Sequence, residues 1–411
     1  MQSRYRNIPL KQWTVKSPGH RAPVFFEMDQ RQDLLIVIES FYISGEVLSG
    51  LKIDSLSLST GQRHPAGRQQ PIELAFAFPV TFVTDMRLYI SDHHIAVILF
   101  HLGNPMSHSE IWLWDWKTGE LKLNIYGVPK IGRVLASSLV FLDATHILVP
   151  LWTPMGPLQD AYIMHLRVFS FEPGDALRRT FEDTEAVAVF MLPELGQRVN
   201  VLKLDGGGNP FTQHPPPTDS EAPFEADMCS RIFVLNIVLE TSSDRQLYFH
   251  LFAPMAVFER SCAVRRLHVV DWDSWADEAR LVRKQPRGMV SDGHIFQNRA
   301  LFPELRDSGG SEETESTDST RFVIYDFSLP AALRRDAQSQ KFRNCEYFLE
   351  PTELDNEGNA WGHPITTGQS LPFRKIWTPF RLPMRSGMFS LVEDSVILGE
   401  NEESSWRIKQ F

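Results

Sequence analysis

The sequence predicts an all-β protein, a single β-propeller of about six blades, with seven as the alternative count. Similar strand pairs recur along the 411 residues, and segments with helical periodicity are scarce. The chain also contains 28 Phe, 10 Trp and 27 Pro. Aromatic side chains favour strands and proline favours turns, so this composition indicates short strands joined by turns. We expect one propeller domain over residues 1–411.

Each repeat combines a buried apolar strand, a polar loop and a second strand in which apolar and polar residues alternate. The second strand ends in an acidic or small-residue turn. Three copies read HIAVILF with EIWLWDWKTG (94–119), HILVPLW with HLRVFSFEPG (146–174) and QLYFHLF with RLHVVDWDS (246–274). A repeat of roughly 50 to 60 residues suits a four-stranded blade of about 40 to 50 residues with loop insertions.

Between Gly174 and Arg231 the pattern is less regular. The segments Ala186–Leu192 and Val199–Leu204 have the composition of strands but fit no repeat, which leaves the count of seven blades open. Two segments favour helix, Ser274–Lys284 and Pro330–Lys341, with Ser274 placed to cap the first of them.

Two inserts, residues 205–227 and 307–320, are predicted to be disordered loops. Each carries five acidic residues and no Lys or Arg. Together they account for the formal net charge of -10, so the rest of the sequence is formally neutral. An acidic folded surface therefore does not follow from the net charge, and we expect no nucleic-acid partner because a basic footprint is lacking.

The cysteines and the N-terminal sequence favour an intracellular protein. Cys229, Cys262 and Cys345 are too few and too far apart for a disulfide framework or a zinc site. No apolar stretch has the length of a signal-peptide core or of a membrane span, which needs about 18 apolar residues. We therefore expect a cytoplasmic or nuclear protein that does not associate with a membrane.

Few residues qualify as metal ligands or acid–base groups. The densest histidine cluster is His93, His94, His101 and His108. Neighbouring strand residues such as His93 and His94 point to opposite faces, so surface histidines are favoured over a metal site. No nucleophile elbow, zinc-protease motif or phosphate loop occurs, so we predict no catalytic residue, no metal and no cofactor.

Two acidic motifs and one aromatic stripe favour structural roles. Asp271 and Asp273 would share one face of a strand, yet Asp271 precedes a predicted helix, which favours capping over acid–base chemistry. Asp115 is expected to help turn the chain in the same way. The residues Trp112 to Trp116 place a tryptophan at every second position, and core packing is favoured over a binding platform.

The segment IWLWDWKTGE (111–120) is similar to the closing strand of a WD repeat, in which a Trp-Asp pair precedes a Thr-Gly turn. The chain also resembles the region that follows the F-box in large F-box protein families of mushroom-forming fungi. This likeness extends from about Phe25 to Phe411 and includes His-Pro-Ile at 363–365 and Leu-Pro-Phe-Arg at 371–374. It implies a propeller that captures substrates for a cullin–RING ubiquitin ligase.

Residues 1–32 are too short for the helical F-box of about 40 to 50 residues that precedes the propeller in that family, and they lack a helical period. We therefore expect a chain without its ligase-docking half. Cullin–RING components would be partners only if the native N-terminus were longer.

The function we expect is recognition of a protein partner, without enzymatic activity. Loops on a rigid scaffold diverge while the strands preserve the fold, which makes them good recognition surfaces. The loop Leu102–Ser109 and the rim around Trp152–Pro157 are the predicted recognition surface. Its four candidate residues are Asn104, His108, Trp152 and Met155.

Two alternatives remain open. A propeller-class hydrolase with a site in the central channel would need matching acids or histidines at the first strands of several blades. The corresponding positions in this sequence hold Ser138, Arg231 and Ala300. The second alternative is a decayed paralogue without activity.

Overall fold

In a computed structural model, the described residues of the chain fold mostly into antiparallel β-sheets. Among the residues that this structure describes, 28 strands and one α-helix, α1 (Met255–Cys262), are present. The described residues are 25–43, 47–80, 85–101, 108–127, 136–155, 161–172, 178–209, 230–263, 267–284, 294–296, 298–305, 319–328, 345–354, 360–368, 371–383, 388–392, 395–400 and 405–410.

The strands follow one another along the whole described chain. In chain order they are β1 (Phe25–Asp29), β2 (Leu34–Ile43), β3 (Val47–Ser57), β4 (Ile72–Val80), β5 (Asp85–Ser91), β6 (His94–His101), β7 (His108–Asp115), β8 (Leu121–Tyr126), β9 (Val140–Phe141), β10 (His146–Met155), β11 (Ala161–Ser170), β12 (Arg178–Thr180), β13 (Ala188–Met191), β14 (Asn200–Gly208), β15 (Ile232–Glu240), β16 (Gln246–Pro254), β17 (His268–Val270), β18 (Arg280–Lys284), β19 (His294–Phe296), β20 (Arg299–Leu305), β21 (Ser319–Asp326), β22 (Cys345–Phe348), β23 (Thr352–Leu354), β24 (Ile365–Thr367), β25 (Phe373–Pro383), β26 (Met388–Val392), β27 (Ser395–Glu400) and β28 (Ser405–Gln410).

Most sheets are built from strands that are consecutive in sequence. Their orders are β1-β2-β3-β4, β12-β8-β7-β6-β5, β17-β13-β11-β10-β9, β14-β15-β16-β18, β19-β20-β21-β25-β22 and β26-β27-β28, with a separate hairpin β23-β24. Two short strands pair in parallel at an outer edge, β12 on β8 and β17 on β13. The all-β prediction is thereby confirmed.

The chain divides into two compact units. The first consists of Met1–Thr153, Val168–Val187 and Pro210–Ala226, and the second of Pro154–Arg167, Ala188–Asn209 and Asp227–Phe411. The prediction of a single domain over 1–411 stays a prediction.

The first unit has a core between its first two sheets. Strand β2 is apolar at every position from Leu34 to Ile38 and buries both of its faces. Leu34, Ile36 and Ile38 pack in one cluster with residues of β5, β6 and β7, whereas Leu35 and Val37 pack in another with β3. A fully buried Leu or Ile contributes about 1.5 to 3 kcal/mol, so burial on both faces stabilises this strand strongly.

The second unit has an equivalent core. Ile232 of β15 and Phe252 of β16 pack against Phe302 of β20 and Tyr325 of β21. The rings of Phe252 and Tyr325 have centroids 5.1 Å apart. Strand β15 is buried over its first eight residues, which explains its continuous apolar sequence.

Trp116 joins the first two sheets through polar contacts as well as packing. Its indole Nε1 donates to the Asp92 carbonyl oxygen at 3.0 Å, and Gln32 Nε2 donates to the same oxygen at 2.7 Å. His64 meets the Trp116 ring edge-on at 5.0 Å and donates from Nε2 to the Gln32 carbonyl at 3.0 Å. Trp114 and Trp116 are buried in the same core and Trp112 packs against it, so the prediction of core packing is confirmed.

The predicted role of Asp115 is also confirmed. Its Oδ1 accepts hydrogen bonds from the backbone N–H groups of Lys117 at 2.9 Å and Thr118 at 3.0 Å. Gly119 then adopts a φ of 75° and donates its N–H to the Asp115 carbonyl at 2.7 Å. Because positive φ strains residues with a Cβ, this turn requires glycine.

Strands extend into both of the inserts that were predicted to be disordered. Asp205–Gly208 lies in β14, where Gly206 is paired with Leu235, so the prediction of disorder is wrong for these four residues. Glycine can lie in a strand that is hydrogen-bonded to a neighbouring strand, although it makes that strand less stable. Ser319 and Thr320 lie in β21. Residues 210–227 and 307–318 are outside the described residues.

The helix predictions are wrong where the structure describes them. Residues 272–274 and 276–278 form two short 3-10 turns, and Arg280–Lys284 is β18, paired with β16. Pairing with a neighbouring strand overrides the helical propensity of this segment. The second predicted helix, 330–341, lies outside the described residues. Conversely, α1 follows β16 where the sequence indicated a loop, whereas strands were correctly indicated near Ala188–Met191 and Asn200–Gly208.

Gly119→Ala is expected to lower the free energy of unfolding by about 1 kcal/mol or more, because Ala is strained at this φ. An added Cβ would also lie 2.7 Å from Arg68 Cδ. Thermal unfolding followed by circular dichroism measures the effect. Gly362→Ala is the matched control, since its Cβ would meet only Glu194 at 3.4 Å. Equal melting temperatures for the two variants would contradict the assignment of the turn.

Candidate functional site

The predicted recognition rim receives little support from the residues that can be placed. Trp152 lies in β10 with only 7% of its surface exposed, so its ring offers almost nothing to a partner, contrary to its selection as an exposed residue. His108 begins β7, opposite His101, rather than lying in a loop. Met155 is the last residue of β10, and Asn104 lies outside the described residues. Binding by this rim stays a prediction.

The structure describes the surroundings of His94, Asp271 and Asp273, which the sequence analysis considered as candidate site residues. The His94 ring packs edge-on against Phe171 at 4.9 Å, and burial lowers the pKa of His94. Asp271 occupies the position before a 3-10 turn, but its carboxylate makes no capping hydrogen bond, so the predicted side-chain cap is wrong. The Asp273 side chain is exposed.

A cleft of about 180 Å³ in the second unit is the strongest candidate for a binding site. We call it the α1–β17 cleft. Its walls are His268 and Val270 of β17 and Val257 and Arg260 of α1, and its floor includes Phe190 and Trp275. Pockets for small-molecule ligands are typically ~300–1,000 Å³, so this cleft suits one or two side chains better than a whole ligand.

Local sequence explains why the helix wall is there. Pro254, in extended conformation, ends β16 and precedes the first helical residue, a position where the fixed φ of proline is tolerated. Met255, Val257, Phe258 and Ser261 are the buried residues of α1, which turns one face toward the protein. Arg231 at the start of β15 forms an ion pair with Glu259 and holds the helix in place.

An aromatic cluster forms a rigid base beneath the cleft. Phe190 of β13 meets Phe258 edge-on at 5.0 Å and Trp275 at 5.8 Å. Trp272 meets Trp275 edge-on at 4.9 Å. The Trp275 indole also donates to the Met191 carbonyl at 3.1 Å, which fixes the ring in its plane. Buried aromatic pairs of this geometry are each worth about 0.5–1.5 kcal/mol beyond their area.

The rim of the cleft combines charge with exposed apolar surface. Arg260 and Glu278 form a salt bridge of 2.5 Å at its mouth. Leu267 and Val269 alternate with the cleft residues of β17 and are 53% and 59% exposed. Among the described strands, β17 is the last in its sheet order, with the cleft on one face and exposed apolar side chains on the other.

The sequence predicts β17 as a strand but not its partner. RLHVVDWDS (266–274) alternates apolar and polar residues, which predicts a strand that closes the repeat containing β16. In the structure β17 pairs with β13 of the preceding sheet, and β18 takes the place beside β16. Neither periodicity nor composition distinguishes these two partners, because both are apolar strands.

Two buried histidines have surroundings that favour packing over chemistry. His250 Nδ1 lies 2.7 Å from Asn236 Oδ1, and its ring stacks on Phe302 at 4.0 Å. Burial, together with Lys284 and Lys375, holds the pKa of His250 well below its usual range. Burial and the charge of Arg167 lower the pKa of His165 to about 3. Both histidines are therefore neutral at physiological pH and belong to the packing.

Asp326 is a third buried polar centre. Its Oδ2 accepts from Arg374 Nε at 2.9 Å and Nη2 at 2.6 Å, and its Oδ1 accepts from the Ser328 N–H at 2.9 Å. Burial opposes ionisation, but the Ser328 hydrogen bonds and the charges of Arg374 and Arg299 prevail and lower the pKa of Asp326. The Asp326 carboxylate therefore joins β21 to β25, which is a structural role.

Comparison with family models and with curated protein sequences found no match. In the described part of the chain, no helix is both long and apolar enough to cross a membrane. The hydrolase and decayed-paralogue alternatives stay untested.

Acid is expected to destabilise the fold below about pH 6.5 through its neutral histidines. The unfolded chain binds protons there that folded His165 and His250 do not, so stability is complete above pH 6.5 and falls as the pH drops. For His165, whose pKa is about 3, the loss at pH 4.5 is on the order of 2–3 kcal/mol. Urea unfolding between pH 7 and pH 4.5 measures this.

His165→Gln removes one of these groups and is expected to make the free energy of unfolding less dependent on pH. His363→Gln, which changes an exposed histidine, is the matched control. The same slope in His165→Gln and in the parent protein would show that His165 titrates normally in the folded state.

Proposed function

We propose that this chain is a β-propeller that binds other proteins, with its successive sheets as the blades. Three to five strands, mostly consecutive in sequence, form each of these sheets. In the first unit β1 contacts β5, and in the second unit β14 contacts β19 and β19 contacts β26. Each of these is the first strand of its sheet in the chain, and neighbouring blades of a propeller meet through their first strands.

The α1–β17 cleft carries the proposal that the function is binding. It combines a small cavity, a rigid aromatic floor and the exposed side chains of Leu267 and Val269. Exposed apolar groups of this kind on a rigid frame are typical of sites that receive a protein partner. Its volume of about 180 Å³ suits an anchoring side chain of such a partner.

A more specific form of the proposal rests on the resemblance to fungal F-box proteins. In that form the chain recognises substrates for a cullin–RING ubiquitin ligase. The WD-like turn supports the resemblance, because Asp115 and Gly119 make the hydrogen bonds that its Asp and Gly imply. The general form, protein binding by a propeller, does not depend on it.

Affinity purification of the tagged chain from its own cells, followed by reconstitution, tests the proposal. Each reproducible partner is produced separately and mixed with the purified chain, and a complex of defined stoichiometry is expected by light scattering. The same tag on an unrelated acidic protein is the control. Cullin and its adaptor in the complex would support the ligase form, and a different partner would contradict that form alone. If no candidate binds the purified chain, protein binding itself is contradicted.

A further inference from the structure

We propose that the α1–β17 cleft receives the side chain of a tyrosine from the partner protein. This inference rests on the proposed function, because it names the chemistry of the side chain that anchors the partner. The phenol ring would lie on the aromatic floor of the cleft, and its hydroxyl group would meet the Arg260–Glu278 salt bridge at the mouth.

The floor of the cleft favours an aromatic ring. Phe190 and Trp275 both line the cleft, and their rings meet edge-on at 5.8 Å with an interplanar angle of 82°. Two perpendicular rings form a corner in which a third ring can stack on one and meet the other edge-on. Val257 and Val270 complete the apolar lining. The volume of about 180 Å³ accommodates one such ring rather than a larger ligand.

The mouth of the cleft favours a group that both donates and accepts a hydrogen bond. Arg260 and Glu278 form a salt bridge of 2.5 Å there, and their side chains are 59% and 40% exposed. A guanidinium donates several hydrogen bonds and a carboxylate accepts several, so both groups can bind a further partner while they remain paired. A phenol hydroxyl accepts from the guanidinium and donates to the carboxylate, and both of these hydrogen bonds involve a charged group.

Other side chains match only part of this lining. Phenylalanine and leucine fill the floor but cover Arg260 and Glu278 without pairing with them, which costs free energy. Lysine and arginine are repelled by Arg260, and aspartate and glutamate are repelled by Glu278. The indole of tryptophan donates but does not accept. Tyrosine combines an apolar ring with a hydroxyl that does both, and it is one of the residues enriched at protein interfaces.

The floor is rigid before a partner arrives, so binding does not have to order it. The Trp275 indole donates to the Met191 carbonyl at 3.1 Å, and the Phe190 ring meets Phe258 edge-on at 5.0 Å. Val257 belongs to α1, which is held by an ion pair between Arg231 and Glu259. A preorganised site loses less conformational entropy on binding and therefore binds more tightly.

Two amino-acid amides that differ by one hydroxyl group test the inference. N-acetyl-tyrosinamide and N-acetyl-phenylalaninamide are titrated into the full chain labelled with 5-fluorotryptophan, and fluorine NMR follows the Trp275 resonance. The signal that is lost in Trp275→Phe identifies this resonance. We expect a saturable shift with the tyrosine amide and an affinity about tenfold higher than that of the phenylalanine amide, a difference of about 1.4 kcal/mol.

Glu278→Ala and Arg260→Ala separate the contact of the hydroxyl from the contact of the ring. Each variant removes one partner of the hydroxyl, so the preference for the tyrosine amide should fall, whereas the affinity for the phenylalanine amide should change little. Glu120→Ala is the matched control, because Glu120 is also exposed and pairs with Lys122 at 2.7 Å but belongs to the first unit. It should keep the preference of the parent protein.

The possible outcomes distinguish this inference from the proposed function. No shift of the Trp275 resonance, equal affinities for the two amides, or an unchanged preference in both Glu278→Ala and Arg260→Ala would each overturn the tyrosine anchor. A reconstituted partner should displace the tyrosine amide, and simultaneous binding of both would overturn the inference while protein binding stands. If the tyrosine amide binds as expected but no candidate partner binds the purified chain, the preference of the cleft for a phenol is supported and the proposed function is contradicted.

Discussion

Apolar side chains on both faces of the middle strands constrain the whole architecture. Positions 95–99 of β6 are completely buried, and β15 is buried along nearly its entire length. A sheet of this kind cannot leave one face in water, as an ordinary antiparallel sheet can. Each such sheet therefore needs other parts of the protein packed against both of its faces. The repeated units of the sequence provide neighbouring sheets for this packing.

Several buried ionisable groups inside these layers are paired with an opposite charge or held neutral. Asp326 is ionised because two arginines and Ser328 surround it, whereas His250 and His165 have lost their affinity for protons. Arg280 is completely buried, donates to the Phe348 carbonyl at 2.8 Å and lies over the Phe373 ring. Buried charges of this kind often add little net stability, because removing them from water costs free energy.

Sequence reasoning predicted the strands well because alternation and apolar runs are local signals. Asp115 and Gly119 also acted as predicted, since a turn depends on a few neighbouring residues. The partner of a strand is a longer-range property, and there the prediction failed. RLHVVDWDS was assigned to β16 but pairs with β13, and the segment read as a helix became β18 with Arg280 at its start.

The candidate site lies where the repeating order is interrupted, which is why the sequence alone did not reveal it. After β16 the chain forms α1, runs along the edge of the preceding sheet as β17 and only then returns as β18. The predicted rim relied on loops with Pro and Gly, and it selected Trp152, a residue of the core. Whether a side chain such as Trp152 is exposed depends on which strands pack against it. Local sequence patterns do not identify those strands.

The parallel edge strands have a consequence for how the protein is made. Strand β8 pairs with β12, and β13 pairs with β17. In both pairs the second strand is synthesised later than the first. A ribosome adds about 5–20 residues per second, so each sheet spends seconds with an unprotected edge while its last strand is still being synthesised. Chaperones that shield nascent chains would be needed most during these intervals, and a pause in translation before β12 or β17 would prolong the exposure.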